Sequence, residues 1–365
     1  MSRVADKLIK AKTDSGFTPD PDFTKLLTTG GATGTTLLND LDDASQIDYF
    51  STSAFGFNAP AGGANMYTAV DDTNKVFMVT HRNSDRLAVA DWSDDTNIVA
   101  ADIVTDSVRL DNVTQVAVDP SKEFAYTTNY NSTSANKGHC RYDYSDPTNV
   151  TLKWFLQYSS TTYGLTVNPT RELLYYFTSS SLRTFDISPT GTNVMVFKDD
   201  LSLGSTVAAY VQDTFLDIEN DILYAVTHND RIMAIDVSTD TAAVLLDSLV
   251  DNTNLDRIYA VSVDVAAGIA FVITTFGKIS SIDVSDPSNL ALLDTYTGVG
   301  RSNDQYRRSM TIDAGAKRVF TSYGNGFSPT GVKVIEYSDP SNLTLETTID
   351  HYSGAYKGAK VHLYN

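Results

Sequence analysis

Hydrophobic residues along this chain recur two apart on short runs that are broken by turn residues. Val116-Ala117-Val118-Asp119, Leu165-Thr166-Val167-Asn168, Leu216-Asp217-Ile218-Glu219, Val261-Ser262-Val263-Asp264 and Met310-Thr311-Ile312-Asp313 share one grammar: apolar, any, apolar, then an acid or its amide. Apolar side chains two apart lie on one face of a strand. A few turn residues later comes a run rich in aromatic and β-branched residues, as in Phe124–Thr128, Leu174–Phe177, Leu223–Thr227, Ala270–Thr274 and Val319–Ser322. A third strand follows, such as Arg231–Val237 or Lys278–Val284, then a turn and a fourth strand such as Leu290–Tyr296 or Leu343–Ile349. The pattern predicts an all-β chain built from four-stranded units.

The third strand and its turn are nearly spelled out in repeat. IDVSDPSNL occupies Ile282–Leu290, YDYSDPTNV Tyr142–Val150 and IEYSDPSNL Ile335–Leu343, with looser copies at Ala90–Ile98, Phe185–Asn193, Ile235–Ala243 and Asn39–Ile47. The first acids are Asp40, Asp91, Asp143, Asp186, Asp236, Asp283 and Glu336, spaced by 51, 52, 43, 50, 47 and 53 residues. A period of this length marks a propeller or an array. The motif itself reads as a hairpin device. In Asp286-Pro287-Ser288-Asn289 the carboxylate can accept from the backbone two residues on, Pro fixes φ, and Asn tolerates a left-handed exit.

The two ends predict how the repeat closes. After Asp350 only Tyr356–Leu363 reads as a strand, while Leu26-Leu27-Thr28-Thr29 and the following glycines line up with Val272-Ile273-Thr274-Thr275 and Gly277. The expectation is a seven-bladed β-propeller of four-stranded blades over residues 23–365, its last blade shared between the N- and C-terminal ends so that no edge stays open.

The repeated [IFY]-D-x-S-D-P-[ST]-N-[LV] units resemble the LVIVD-type β-propeller repeat of bacterial and archaeal surface proteins. The match is close at Asp143, Asp283 and Glu336, moderate at Asp91 and Asp186, and in outline at Asp40 and Asp236. The resemblance implies a propeller fold and an exposed, interacting protein. It brings no catalytic residues with it.

Composition narrows the partners. The 365 residues carry a net charge of −18, which argues against nucleic acid or an anionic membrane as a partner held by bulk charge. Of 45 acids only five are Glu (Glu123, Glu172, Glu219, Glu336, Glu346), a bias that fits a turn-rich, helix-poor chain. The single Cys140 excludes an internal disulfide. The start MSRVADKLIKAK lacks the form of a signal or transit peptide, and no segment approaches eighteen apolar residues, so membrane insertion is not expected. The localisation expected is a virion or extracellular surface assembly, with the cytoplasm left open.

Residues 1–22 stand outside the repeat. Val4, Leu8 and Ala11 fall at helical spacing among Arg3, Lys7, Lys10 and Lys12, with Pro19 and Pro21 behind them. We expect an N-terminal arm that docks the protein to a larger assembly; a frayed tail is the bland alternative.

A propeller enzyme works where its inner strands begin. Aligning those starts places Tyr67, Gln115, Gly164, Phe215, Ala260, Ser309 and Ala359 at one level, preceded by Met66, Thr114, Tyr163, Thr214, Tyr259, Arg308 and Gly358. Neither level offers a carboxylate pair, a histidine cluster or an acid–base pair. Asp213 with Arg307 and Arg308 is the nearest polar cluster. His139-Cys140 is expected in a Gly/Asn-rich loop and reads as no metal site, and Asp217, Glu219 and Asp221 lack the glycine and distal Glu of a calcium loop. No cofactor is expected. The expected partner-binding residues are Val4, Leu8 and Ile9 of the arm with Tyr126, Tyr130 and Tyr163 of a tyrosine-rich stretch. The function expected is a non-catalytic structural and interaction protein, not an enzyme. It would be displayed on a virus particle or other surface assembly beside neighbouring structural proteins, with a surface glycan as a further partner. The alternative is a channel-centred hydrolase or lyase acting on a carbohydrate or small molecule.

Overall fold

The computed structural model describes strands and most of their turns. Residues 1–24, 31–34, 41–46, 52–65, 82–84, 94–98, 130–137, 158–161, 189–194, 206–209, 301–309, 326–327, 351–359 and 365 lie outside the described residues. The all-β expectation holds. Six antiparallel sheets each consist of four consecutive strands. Sheet one is Met66–Asp71, Val76–His81, Arg86–Asp91 and Val99–Thr105; sheet two is Val113–Asp119, Phe124–Asn129, Gly138–Asp143 and Thr151–Gln157. Sheet three is Thr162–Asn168, Leu173–Thr178, Ser181–Asp186 and Val196–Ser202; sheet four is Val211–Asp217, Ile222–Thr227, Arg231–Asp236 and Val244–Val250. Sheet five is Ile258–Asp264, Ile269–Thr274, Ile279–Asp283 and Ala291–Tyr296; sheet six is Met310–Asp313, Arg318–Asn325, Ser328–Glu336 and Thr344–Asp350. A further four-stranded sheet joins Lys360–Tyr364 to Lys25–Gly30, Thr35–Asp40 and Ile47–Ser51.

The chain divides into two compact units. One comprises Asn65–Val250 with Pro287–Asn289 and holds sheets one to four; the other comprises Met1–Ala64, Asp251–Asp286 and Leu290–Asn365 and holds the rest. The second strands form the middle of the cores: Phe124–Asn129, Leu173–Thr178, Ile222–Thr227 and Ile269–Thr274 are buried at every position. Clusters such as Leu173, Tyr175, Phe177, Leu223, Ala225 and Met233 fill the contact, or seam, between neighbouring sheets.

In sheets one to six the first strand ends in a buried polar residue that organises the next turn. Asp71, Asp119, Asn168, Asp217, Asp264 and Asp313 are all under a tenth exposed. Their Oδ1 atoms accept turn amides, including those of Asn74, Ser121, Arg171, Asn220, Ala267 and Ala316. The turn closes on a residue with positive φ, at Lys75, Glu123, Glu172, Asp221, Gly268 and Lys317. Only one of the six is glycine, although a side chain there costs about 1–2 kcal/mol. The carbonyl of that residue accepts the amide just after the repeated acid, as in Tyr144 N–H to Glu123 O at 2.9 Å and Tyr337 N–H to Lys317 O at 2.9 Å.

A second device sits on the fourth strands. Each of sheets one to six has a bulge between its third and fourth strands, where Ala101, Lys153, Lys198, Leu246, Leu293 and Glu346 are the extra residues. The residue after the bulge is turned toward the following sheet. Asp102 Oδ2 thereby accepts Val150 N–H at 2.7 Å, Asp199 accepts Ala243 N–H at 2.8 Å, and Asp294 accepts Leu343 N–H at 2.7 Å. The donors belong to the last residues of the repeated turn, so the motif is clipped by an acid of the preceding sheet.

Candidate functional site

In the first unit the candidate site lies at the starts of the first strands, and the structure corrects one register there. Asp217, not Glu219, ends the first strand of sheet four, because Asp217 pairs with Ile222 at the hairpin. Counting back four residues from the strand-terminal polar groups then places Asp213, not Phe215, beside Tyr67, Gln115 and Gly164. Apolar–acid steps occur at both Leu216-Asp217 and Ile218-Glu219, and only the pairing of Asp217 with Ile222 chooses between them.

Bulges set the directions of these side chains. The first strands of sheets two, three and four each slip register at their start, between Val113 and Gln115, Thr162 and Leu165, and Val211 and Asp213. The Gln115 amide spans two neighbouring sheets. Its Oε1 accepts Leu165 N–H, and its Nε2 donates to Gln212 O at 3.4 Å, the carbonyl of the peptide that leads into Asp213. Thr214 Oγ1 donates to Leu165 O at 3.3 Å, and Gln212 Nε2 donates to Tyr210 O at 2.8 Å. Both polar groups of Leu165 are thus taken up by side chains of the two flanking strands. Gly164 permits this approach, since a Cβ there would lie 2.6 Å from Val211 Cγ1. Asp213, half-exposed, directly follows Gln212, whose carbonyl belongs to this belt of amides and hydroxyls. Chemically the set comprises one candidate general base and neutral hydrogen-bonding groups suited to a polar, uncharged ligand. Arg307 and Arg308 lie outside the described residues.

The other singled-out residues resolve differently. His139 and Cys140 lie within the third strand of sheet two, not in a loop, and both are buried. Burial lowers the His139 pKa to about 3, helped by the Arg183 charge, and the ring packs on Tyr176 at 3.9 Å. Burial likewise pushes the Cys140 thiol up to about 12, so it offers no thiolate nucleophile. Asp217 spends its oxygens on Glu219 N–H, Asn220 N–H and Asn220 Nδ2. Among the described residues no group of three potential ligands could hold a metal ion, and no helix is long and apolar enough to cross a membrane. The tyrosine-rich face is corrected as well. Tyr126 is fully buried, as are Tyr142, Tyr175 and Tyr176, because they lie on strands covered on both faces; Tyr144, just past its strand, is buried as well. Val4, Leu8, Ile9 and Tyr130 lie outside the described residues, and Tyr163 is placed in a strand start without a described side chain.

No protein-family model matches the chain, and no curated protein is similar to it in sequence. Solved structures are similar in fold. One, described as a candidate 6-phosphogluconolactonase from Bacteroides uniformis, superposes with a TM-score of 0.71 at 10% identity, covering 93% of this chain and 100% of that chain. Its counterpart from Bacteroides fragilis gives 0.72 at 9%, covering 94% and 100%. The periplasmic gluconolactonase of Pseudomonas aeruginosa gives 0.70 at 8%, covering 93% and 99%. At these identities the likeness is one of fold, a propeller-like set of four-stranded sheets. It nevertheless overturns the expectation of a non-catalytic, virion-displayed structural protein. That reading rested on association and on a site level misaligned at its one carboxylate, whereas these three similar structures carry the names of enzymes.

Proposed function

We propose that the chain is a hydrolase acting on a cyclic sugar ester or a related small carbohydrate. The observation that carries the reading is the Asp213 carboxylate, brought level with Gln115 and Gly164 on a fold shared with proteins named as lactonases. In the reaction Asp213 takes a proton from water as the oxygen attacks the lactone carbonyl. The ring C–O bond then breaks, the proton passes to the departing ring oxygen, and an open-chain acid leaves. An amide NH2 has two donors. One hydrogen of Gln115 Nε2 points to Gln212 O, and the other is the donor we assign to the carbonyl that gains charge. The neutral belt and the net charge of −18 favour an unphosphorylated lactone over a phosphorylated one.

The same reading counts the sheet of Lys360–Tyr364 with Lys25–Ser51 as a seventh blade, takes the turns as LVIVD-like, and sets residues 1–22 apart as an arm that docks to another protein. The test is hydrolysis of glucono-1,5-lactone, followed by acid release in a pH-stat against the spontaneous rate. The enzyme should exceed that rate, and Asp213→Asn should lower kcat/KM by about 10²–10⁴-fold with unchanged circular dichroism. A wild-type rate equal to buffer for both glucono-1,5-lactone and its 6-phosphate would overturn the proposal.

A further inference from the structure

Two kinds of seam join the sheets, and they differ at one side chain. The residue after the repeated acid lies opposite the strand-terminal carboxylate or amide of the preceding sheet. In two seams it is tyrosine: Tyr144 O–H donates to Asp71 Oδ2 at 2.6 Å, and Tyr337 O–H to Asp264 Oδ2 at 2.9 Å. Between sheets two and three the same position is Ile187, and between sheets three and four it is Val237. Their amides are anchored as in the other copies, Ile187 N–H to Glu172 O at 2.8 Å and Val237 N–H to Asp221 O at 2.9 Å.

The polar atom opposite each aliphatic residue is left without a donor or acceptor in the protein. Asp119 is fully buried, its Oδ1 accepts from Ser121, and its Oδ2 has no partner. Asn168 is also fully buried; its Oδ1 accepts Arg171 N–H, and its Nδ2 has no partner. These are the seams that carry a cation three residues beyond the strand-terminal group. Lys122 Nζ donates to Ile187 O at 3.3 Å and Ser188 O at 3.4 Å and pairs with Glu172 at 2.6 Å. Arg171 grips Val237 O, Ser238 O, Asp221 and Asp240 in the same way. Asn74 and Ala267 occupy that place where tyrosine is present; there the carboxylate oxygen has a second donor beside the tyrosine, Asn74 Nδ2 to Asp71 Oδ2 at 2.8 Å and Lys317 Nζ to Asp264 Oδ2 at 2.8 Å.

We infer that each cation-lidded seam encloses a bound water molecule that stands in for the missing tyrosine hydroxyl, donating to Asp119 Oδ2 in one and accepting from Asn168 Nδ2 in the other. An ionised or amide group does not stay buried and unpaired at low cost. A tyrosine exceeds an isoleucine by a hydroxyl and part of a ring, comparable with the ~30 Å³ share of one water. The buried Tyr126 hydroxyl provides a further polar group in the seam of sheets two and three.

The experiment is a crystal structure that resolves ordered solvent, for the wild type and two reciprocal variants. The wild type should show a density peak about 2.6–3.0 Å from Asp119 Oδ2. Ile187→Tyr should remove that peak and place its hydroxyl on the same oxygen, with a melting temperature no lower than wild type. Tyr144→Ile removes one of the two donors on Asp71 Oδ2, the other being Asn74 Nδ2 at 2.8 Å, and should place a new peak at that oxygen, which keeps the test open should Ile187→Tyr not fold. Absence of the wild-type peak, or its persistence beside a tyrosine hydroxyl, would overturn the inference.

Discussion

Asp294 and Asp339 make opposite impressions in the sequence and in the structure, and their replacement by alanine separates the two. Asp339 belongs to the repeated SDP turn, where it accepts Ser341 N–H at 3.0 Å and Ser341 Oγ–H at 2.9 Å while exposed to water. Water replaces both bonds in Asp339→Ala, so its cost should stay within about 0.5 kcal/mol. Asp294 lies in no motif, yet its Oδ2 holds the amide of the buried Leu343 at 2.7 Å across a seam. Asp294→Ala removes a hydrogen bond to a charged acceptor and strands a donor beside the core. Such losses cost about 1.5–3 kcal/mol, and the partial exposure of Asp294 places the expectation at about 2 kcal/mol. That is roughly a thirtyfold change in the folded-to-unfolded ratio. Asp294→Asn should fall between, because an amide oxygen still accepts. Urea unfolding followed by circular dichroism measures all three. Equal costs for the two alanine variants, or Asp294→Ala indistinguishable from wild type, would refute the assignment of the seam to this carboxylate.

Three further outcomes follow from particular groups. His139 refuses a proton down to about pH 3 when folded, whereas an unfolded histidine binds one near 6.5. Its contribution is present above pH 6.5 and is lost as pH falls, by about 1.4 kcal/mol per unit; His139→Phe should flatten the stability profile between pH 6.5 and 5. Burial pushes the Tyr224 hydroxyl up to about 12, with Asp217 adding to it, so stability is held below pH 10 and lost as pH rises from 10 toward 12. The part of the tyrosinate absorbance at 295 nm that Tyr224→Phe removes should therefore rise together with loss of circular dichroism, and its appearance in still-folded protein would contradict it. Glu123→Gly relieves a positive-φ side chain and should stabilise by about 0.5–1 kcal/mol in the same urea assay, the relief exceeding the entropic cost of glycine.

The four-strand grammar and the hairpin role of the repeated turn were legible because period-two apolar residues and Asp-Pro-Ser-Asn chemistry are local signals. The acids that clip the sheets were not. Asp102, Asp199 and Asp294 follow the repeated acid by 11, 13 and 11 residues, a spacing present in the sequence. Their meaning depends on a bulge that rotates the side chain out of the alternating pattern. Tyrosine-rich strands misled for a related reason. A residue such as Tyr126 suits both an interface and a strand buried on two faces, and composition does not distinguish them. At the candidate site, Gln115 and Gly164 were placed correctly by alignment. Asp213 was displaced by two positions, since two apolar–acid steps compete in that copy alone.

The clip between sheets also bears on how such a chain grows by gene duplication. The fastening is divided between neighbouring copies: the amide donor is the last residue of one copy's turn, as Leu343, and the acceptor lies about eleven residues beyond the repeated acid of the copy before it, as Asp294. A newly inserted copy built to both halves of this pattern would leave no donor or acceptor stranded at either junction. Divergence is tolerated afterwards: Trp154 and Thr347 now occupy the acceptor place, and around Trp154 the seam has turned to aromatic and aliphatic packing. Repeats of this design can be added whole and then drift singly, and copies can differ in sequence while their sheets remain joined.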